Sequence, residues 1–353
     1  MSVPRGTVTI RHVAADAEVS LQTVSRVINN EPSVRDETRA RVLFSVRKLG
    51  YVPSIAAQRL RGSRSYLILA LNDRERTIAE WQARQGGDWV DQMLLGGMLK
   101  CSEHGYRMIL ELVDTHSDQI ERELSATIAA LRPDGVILTP PHSENMQICD
   151  LLQSHGVPFV RIGSRGPAPG FSVSMDDAGA AREATEFLLG LGHRRIGFIA
   201  GSRTYSLSSW RVDGWQAAMT GAGVEIAGLL AQGDFSYGSG LAAAEQLLSL
   251  DRPPSAIIAS NDQMALATLD VAHGKGLEVP DDLSLISFDN TPVVSFNRPR
   301  FTAVDQPIAE TFSKAVELLI GAAKGELPPS PIVIQGTLVQ RETTGPARTD
   351  AGC

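Results

Sequence analysis

Three closely spaced side chains near the N-terminus have the chemistry to contact DNA bases. Arg26 carries a planar guanidinium that can bond two acceptors of guanine, Gln22 can pair with adenine, and Leu21 can touch a thymine methyl. On a helix that begins at Leu21, Gln22 and Arg26 would lie on a polar arc, whereas Val24 and Val27 would lie on a separate apolar stripe. One face of such a helix can be buried while the other stays available to a duplex.

Two further helices would position this one. Thr9 can cap a helix from Ile10 to Ala17, Ser20 can cap the second helix from Leu21 to Asn29, and a third amphipathic helix spans Asp36 to Leu49. Three short helices with a tight turn between the first two are typical of a helix-turn-helix domain. The pattern alone leaves open a three-helix bundle with an ordinary polar face.

The charge distribution favours nucleic-acid contact at this end only. Residues 1–64 hold 11 Lys and Arg against five Asp and Glu, a net charge of +6, whereas the remainder holds 22 against 35, a net charge of −13. Several hydroxyl and amide side chains of the basic segment are suited to phosphates, which fix register without reading sequence: Thr9, Ser20, Thr23, Ser25 and Asn29. A solvated basic face is the alternative.

The first sixty residues resemble the headpiece of the lactose/galactose repressor (LacI/GalR) family. The similarity covers Thr9–Ala14 and Val19–Asn29, and it continues through Gly50–Pro53 and Ala56–Leu60. The resemblance implies that Leu21, Gln22 and Arg26 read bases. It departs from the family pattern at Glu18, where glycine is common.

Residues 54–61 can form two helical turns, but so short a helix is marginal in water. In the family this hinge helix enters the minor groove, and an apolar side chain wedges between bases. The resemblance assigns these contacts to Ala57 and Leu60. The alternative is that Leu60 packs on the body of the protein.

Beyond the hinge, short apolar runs alternate with amphipathic segments, which predicts parallel sheets covered by helices. The runs are Tyr66–Leu71, Arg107–Leu112, Gly135–Leu138, Phe159–Ile162, Ile196–Ala200, Ala256–Ser260 and Leu285–Phe288. Polar residues follow three of them, at Asn72-Asp73, Ser260–Asp262 and Asp289-Asn290. Because ligands bind outside the carboxyl ends of strands in open α/β sheets, these endings point toward one cleft.

The resemblance extends over this region and implies a multi-domain protein, with a small all-α helix-turn-helix headpiece and an α/β body of two periplasmic-binding-protein-like lobes. We expect a headpiece over residues 1–52, a hinge helix and linker over 53–65, a ligand-binding and dimerisation domain over 66–345, and a tail over 346–353. The lobes are expected over about 66–175 with 292–327, and about 176–290 with 331–345. The chain would cross between them near Ser174–Asp176, Asn290–Val293 and Leu327–Pro331.

The family's ligand positions fall on Arg211, Asn261, Asp289 and Gln306, with Phe235 and Met175 as apolar neighbours. Arg, Asn and Asp can bond vicinal hydroxyls while an aromatic ring covers the apolar face of a sugar. Structural roles are the alternatives: a cap for Asp289, a surface ion pair for Arg211 and support of a strand end for Asn261. In the segment 74–89, which is longer than usual for the family, Trp81 and Trp89 are candidates to line the pocket.

The motifs of hydrolases, metalloproteases and nucleotide-binding enzymes are absent from the sequence, so neither catalytic residues, a metal nor a cofactor is expected. No apolar run approaches the ~18 residues of a membrane span, and no signal peptide precedes the headpiece, which predicts a cytoplasmic protein. We expect a repressor that binds a pseudo-palindromic operator as a homodimer and responds to a small polar effector, a sugar or sugar derivative. The alternative is a solute-binding protein of the same fold without a DNA function.

Overall fold

The computed structural model describes residues 8–28, 31, 33–51, 64–84, 88–326 and 329–348. The chain divides into two compact units, one ending at Tyr66 and the other beginning at Leu67. We refer to them as the headpiece and the body. No helix among the described residues combines the length and the apolar character needed to cross a membrane.

The headpiece contains the three predicted helices: α1 (Ile10–Asp16), α2 (Leu21–Ile28) and α3 (Asp36–Leu49). They share one small core, because the apolar stripe of each helix faces the other two. Its buried members are Val13, Ala14, Ala17, Val24, Val27 and Val42. The three-helix prediction is therefore confirmed within a residue or so at each helix end.

Local interactions fix the turn between α1 and α2. Ser20 caps α2 as predicted, since its Oγ accepts a hydrogen bond from the Thr23 N–H at 3.1 Å. Glu18 has a φ of 51°, in the left-handed region, where a non-glycine residue costs about 1 kcal/mol. The preference for glycine at this position of the family thus has a backbone cause, and Glu18 departs from it at some cost in stability.

The described residues of the body form two six-stranded sheets, which define its first and second lobes. The first sheet has the order β11-β5-β4-β3-β1-β2, and all its neighbouring strands are parallel. Its strands are β1 (Leu67–Asp73), β2 (Arg107–Val113), β3 (Gly135–Leu138), β4 (Phe159–Ile162), β5 (Phe171–Met175) and β11 (Ile332–Ile334).

The second sheet has the order β12-β10-β9-β8-β6-β7, and only its edge strand β12 is antiparallel to its neighbour. Its strands are β6 (Ile196–Ala200), β7 (Leu230–Gln232), β8 (Ala256–Ala259), β9 (Ser284–Asp289), β10 (Thr302–Asp305) and β12 (Thr337–Val339). All seven apolar runs predicted as strands are strands in the structure. The sequence did not predict β5, β7, β10, β11 or β12, which are five residues or shorter.

Helices cover both faces of the sheets. They are α4 (Arg74–Ala83), α5 (Asp88–Glu103), α6 (Ile120–Leu131), α7 (Met146–Ser154), α8 (Asp177–Gly190), α9 (Ser206–Gly221), α10 (Tyr237–Leu248), α11 (Asp262–Gly274), α12 (Pro292–Phe296) and α13 (Ile308–Ala323). In the first lobe α5 packs closely on α13, because Gly96 brings its backbone against the Ala309 carbonyl. A Cβ at Gly96 would lie 1.9 Å from that oxygen.

Two of the predicted crossings between the lobes are wrong. The chain passes to the second sheet between β5 and α8, returns to the first lobe between β10 and α13, and passes again between β11 and β12. The second crossing therefore lies near Gln306 rather than at Asn290–Val293, because β10 pairs with β9. The third lies near Gly336 rather than at Leu327–Pro331, because β11 pairs with β5. Residues 292–305 accordingly belong to the second lobe, and 332–334 belong to the first.

Candidate functional site

The outward face of α2 presents the residues expected to read bases. Leu21 is 41% exposed, Gln22 and Arg26 are also exposed, and Val24 and Val27 are buried beneath them. The helix therefore has a buried stripe and an outward arc, as its sequence predicts. A short amphipathic helix held this way can enter a major groove without disturbing its own domain.

The Arg26 side chain is held only weakly in the headpiece. Its Nε lies 3.6 Å from Glu31 Oε2, and both side chains are nearly half exposed, at 47% and 45%. Exposed ion pairs of this kind contribute little to stability, about 0–1 kcal/mol. The guanidinium can therefore leave Glu31 for a base at small cost.

The residues expected to bind phosphates have mixed surroundings. Thr9 and Ser20 are exposed at helix starts, whereas Thr23 and Ser25 are half-buried. The Ser20 hydroxyl also lies 2.9 Å from the Thr23 hydroxyl, so these two side chains already share one hydrogen bond. Three further residues expected at the DNA surface lie outside the described residues: Asn29, Ala57 and Leu60.

In the body, the carboxyl ends of several strands surround a cavity of about 120 Å³. Five of the six residues expected at the ligand site line it: Arg211, Asn261, Asp289, Gln306 and Phe235. Their positions follow from the strands, since Asn261 comes just after β8, Asp289 ends β9 and Gln306 follows β10. The prediction that the polar strand endings meet at one cleft agrees with this arrangement.

Met175 does not line the cavity, contrary to expectation. Its side chain is 7% exposed and packs in the core of the second lobe, in a cluster that includes Phe198, Phe288 and Val304. The reason is the crossing next to it, because the end of β5 leads directly into α8 over the second sheet. Met175 therefore packs beside this crossing between the lobes rather than in the cavity wall.

Arg211 is held rigidly at one side of the cavity. Its Nε donates to Asp177 Oδ1 at 2.8 Å, its Nη1 donates to the Ser260 carbonyl, and its guanidinium stacks 4.5 Å from the Phe288 ring centroid. Burial raises the pKa of the Asp177 carboxyl, and Arg211 only partly offsets this rise. The pair is buried at 2% and 4% exposure, so Arg211 is fixed by this network and is not a surface ion pair.

Asn261 and Phe235 are fixed to each other. The Asn261 Oδ1 accepts from the Met264 N–H at 2.9 Å and caps α11, and its Nδ2 donates to the Phe235 carbonyl at 2.8 Å. Phe235 has a φ of 75°, and its ring fills the space beside Gly201, where a Cβ would lie 2.0 Å from Phe235 Cζ. The amide of Asn261 thus supports the strand end while it holds an aromatic wall of the cavity in place.

Asp289 has a strained backbone conformation, and its carboxyl group lies near that of Asp262. Its φ is 97°, that of Asn290 is 60°, and the Gln306 Nε2 donates a hydrogen bond to Asp289 Oδ1. Burial raises the pKa of the Asp289 carboxyl, which Arg211 and Gln306 partly oppose. Burial and repulsion from Asp289 also raise the pKa of the neighbouring Asp262 to about 7. A ligand that donates hydrogen bonds to Asp289 would favour its charged form.

One wall of the cavity was not predicted residue by residue. It is the start of α4, where Arg76, Thr77 and Glu80 face the cavity beside Asp73, the one residue of this wall that was expected at the cleft as a polar strand ending. These positions follow the helical spacing i, i+3, i+4, i+7, so a helical wheel over residues 73–80 would have found them. Of the two candidate tryptophans, Trp89 lines the cavity, whereas Trp81 is 49% exposed and does not.

Aromatic and apolar side chains complete the lining. They are Tyr205, Leu207, Pro140 and Val90, and sequence reasoning missed all four because each lies in a loop or a helix with no polar signal. Burial raises the pKa of the Tyr205 hydroxyl, so this tyrosine stays neutral at ordinary pH. No group of three or more His, Cys, Asp or Glu within the described residues has the arrangement to hold a metal ion.

A helix-turn-helix headpiece on a two-lobed body with a polar cavity defines a class of DNA-binding proteins that respond to a ligand. Residues 9–54 match the family described as bacterial regulatory proteins, lacI family, and residues 185–344 match a periplasmic binding protein-like domain. The HTH-type transcriptional regulator CelR of Thermobifida fusca is 34% identical over 345 residues, which cover 95% of this chain and 98% of the relative.

Solved structures of transcription regulators are also similar to this chain. A complex of the transcriptional regulator CelR with cellobiose has a TM-score of 0.71 at 31% identity, covering 95% of this chain and 99% of that one. The lac repressor dimer bound to operator and the anti-inducer ONPF has a TM-score of 0.76 at 26% identity, covering 96% and 100%. The chain therefore belongs to the lacI family of bacterial regulatory proteins, whose members are transcription regulators and not enzymes. The predicted family and fold class are confirmed.

Proposed function

We propose that this protein is a repressor that reads an operator through α2 and releases or holds it according to a sugar-like effector in the body cavity. The observation that carries the proposal is the exposed arc of α2, with Gln22 and Arg26 outward over buried Val24 and Val27. In the major groove Arg26 would bond guanine O6 and N7, Gln22 would bond adenine, and Leu21 would contact a thymine methyl.

Contacts to the backbone and the minor groove complete the proposed DNA interface. Thr9, Ser20, Thr23, Ser25 and Asn29 would bind phosphates and set the register of α2. Residues 53–65 would act as a hinge, with Ala57 and Leu60 in the minor groove. The +6 charge of residues 1–64 makes binding strongly salt-dependent, because each neutralised phosphate releases counterions.

The effector site is the cavity lined by Arg211, Asn261, Asp289, Gln306 and Phe235. Asp289 and Gln306 offer acceptors and donors to vicinal hydroxyls, and the Phe235 ring can cover an apolar sugar face. That the related CelR was solved with cellobiose supports a sugar ligand here. The effector would act by binding unequally to the DNA-competent and DNA-incompetent states.

We further propose that the protein works in the cytoplasm as a homodimer. Leu95, Met98 and Leu99 lie at i, i+3, i+4 on the outer face of α5, and each is at least half exposed. Val293 and Phe296 on α12 are also exposed, at 51% and 80%. Two-fold pairing through such surfaces would match a pseudo-palindromic operator.

The experiment that tests the proposed function is a titration of the full chain against duplex DNA. Duplexes selected from a random pool and scrambled duplexes of equal composition are compared by fluorescence anisotropy at several salt concentrations. We expect the selected duplex to bind at least ~1,000-fold more tightly than the scrambled one. A solute-binding protein of the same fold would bind neither duplex, and a merely basic surface would bind both equally with the same dependence on salt.

A further inference from the structure

Within the described lining of the cavity, the carboxylates at least balance the guanidiniums. The described lining residues include three carboxylates, Asp73, Glu80 and Asp289, and two guanidiniums, Arg76 and Arg211. Even if Asp289 carried a proton, two carboxylates would still oppose the two guanidiniums. An anionic ligand would bind well here only if one of these two guanidiniums were available to it.

The Arg211 guanidinium already forms hydrogen bonds with other groups of the protein. Its Nε is bonded to the buried Asp177 at 2.8 Å and its Nη1 to the Ser260 carbonyl. Since the Arg211 side chain is only 2% exposed, rotation toward a ligand would leave the Asp177 carboxylate buried without its partner. The positive charge of Arg211 is therefore neutralised by the Asp177 carboxylate.

Arg76 is held by Glu80 and by two rings of the second lobe. Its Nε donates to Glu80 Oε1 at 2.7 Å, and its guanidinium carbon lies 5.3 Å from the Tyr205 ring centroid and 5.1 Å from that of Phe235. Burial alone would lower the pKa of Arg76, but Glu80 and Tyr205 more than compensate, so Arg76 stays charged. This cation spans the cleft from α4 and has its counter-ion beside it.

The wider surroundings add negative charge. Asp88 at the start of α5 is close enough to Asp289 to raise the pKa of its carboxyl. An anionic group in the cavity would therefore meet carboxylates while both guanidiniums of the described lining are already paired, whereas neutral hydroxyls can bond Asp289, Gln306 and Glu80 without this penalty.

We propose that Arg76 and Glu80 form a specificity-determining pair that restricts the cavity to uncharged polyhydroxyl ligands and excludes phosphorylated and carboxylated ones. The proposal rests on the proposed effector function of the same cavity and narrows its ligand class. Arg76 supplies a cationic face against the Tyr205 and Phe235 rings, and Glu80 cancels its attraction for anions. We expect a neutral sugar to bind at least ~100-fold more tightly than its phosphate ester.

The first experiment needs no knowledge of the effector. Inorganic phosphate is titrated at constant ionic strength into the full chain and three variants: Glu80→Gln, Arg76→Met and the double variant Arg76→Met/Glu80→Gln. Tryptophan fluorescence is the readout, because all four tryptophans lie in the body and Trp89 lines the cavity. Far-UV circular dichroism and the thermal midpoint confirm that each variant is folded.

We expect no saturable response in the wild type, a saturable millimolar response in Glu80→Gln, and loss of that response in the double variant. A saturable wild-type response that Arg76→Met removes would overturn the proposal, because Arg76 would then be open to anions. A Glu80→Gln variant that gains no response would also overturn it, since Glu80 would not be what neutralises Arg76.

A second experiment separates this proposal from the effector function on which it rests. Matched sets are titrated into the wild type: glucose with glucose 6-phosphate and gluconate, ribose with ribose 5-phosphate, and cellobiose. Binding confined to neutral members supports the proposal, and a phosphorylated or carboxylated member that binds as tightly as its neutral partner contradicts it. If no sugar binds, the sugar-effector function fails for these ligands, while the phosphate titration still decides the role of Arg76 and Glu80.

Discussion

The two sites of this protein are built in opposite ways. In the headpiece, Gln22 and Arg26 are exposed, and Arg26 has only a 3.6 Å surface contact with Glu31. In the body, Arg211 is held by the buried Asp177, and Asp289 has a strained backbone conformation and accepts a hydrogen bond from Gln306. A side chain that reads a partner from the surface contributes little to the fold, whereas one that forms a cavity wall contributes to both fold and binding.

The largest expected effect is on the stability of the body. Arg211→Met leaves Asp177 buried without its partner, so we expect the free energy of unfolding to fall by about 3 kcal/mol. Urea unfolding followed by tryptophan fluorescence measures this, because every tryptophan lies beyond residue 66. In the matched control, Arg26→Ala should change headpiece unfolding, followed by circular dichroism, by no more than about 0.5 kcal/mol. Equal losses of unfolding free energy in the two variants would contradict the proposed difference between the two sites.

The second-largest expected effect is a loss of affinity for the ligand that leaves the affinity for DNA unchanged. Asp289→Ala removes the acceptor that Gln306 holds toward the cavity, so we expect the affinity for an effector sugar to fall about 10- to 100-fold. Isothermal calorimetry with any neutral sugar that binds the wild type measures this, and the affinity for the selected operator should stay unchanged. Met175→Leu is the control, because Met175 lies outside the cavity lining and should leave sugar affinity intact. A response to effector that survives in Asp289→Ala would place the site elsewhere.

The smallest effect is a pH dependence. The pKa of Asp262 is about 7 in the folded state against 3.8 for the ordinary group, so the folded state binds more protons between these values. The stability contributed by protonated Asp262 is therefore complete below pH 3.8 and is lost as the pH rises through 7. Asp262→Asn imitates the protonated form, so its stability advantage over the wild type should increase as the pH rises from 3.8 to about 7 and stay constant above that. A stability difference that does not vary with pH would show that Asp262 does not titrate in this range.

These differences also explain what could be predicted from the sequence. The headpiece site follows from one helical period, because Leu21, Gln22, Arg26 and the buried valines lie within a single turn or two of α2. The strands that end in polar residues were predicted for the same local reason. The resemblance to a known family supplied Arg211 and Gln306, which no local pattern would have brought together.

What the sequence did not predict depends on distant pairing. Strands β10 and β11 are only four and three residues long, and each belongs to a sheet because of the neighbour it meets. Two crossings were misplaced for that reason, and Met175 was assigned to the cavity although it packs in the core. The α4 wall was accessible to a helical wheel, but the contact of Arg76 with Tyr205 and Phe235 joins residues more than a hundred positions apart.

The central claim is that α2 reads DNA bases through its exposed arc, and selection from a random duplex pool tests it most directly. The wild type and Arg26→Ala, both as full chains, are each taken through the same rounds of selection and sequencing. We predict that the wild type enriches a two-fold symmetric sequence with a guanine in each half-site, and that Arg26→Ala no longer enriches that guanine. Enrichment of the same sequence by both proteins, guanine included, would contradict the account.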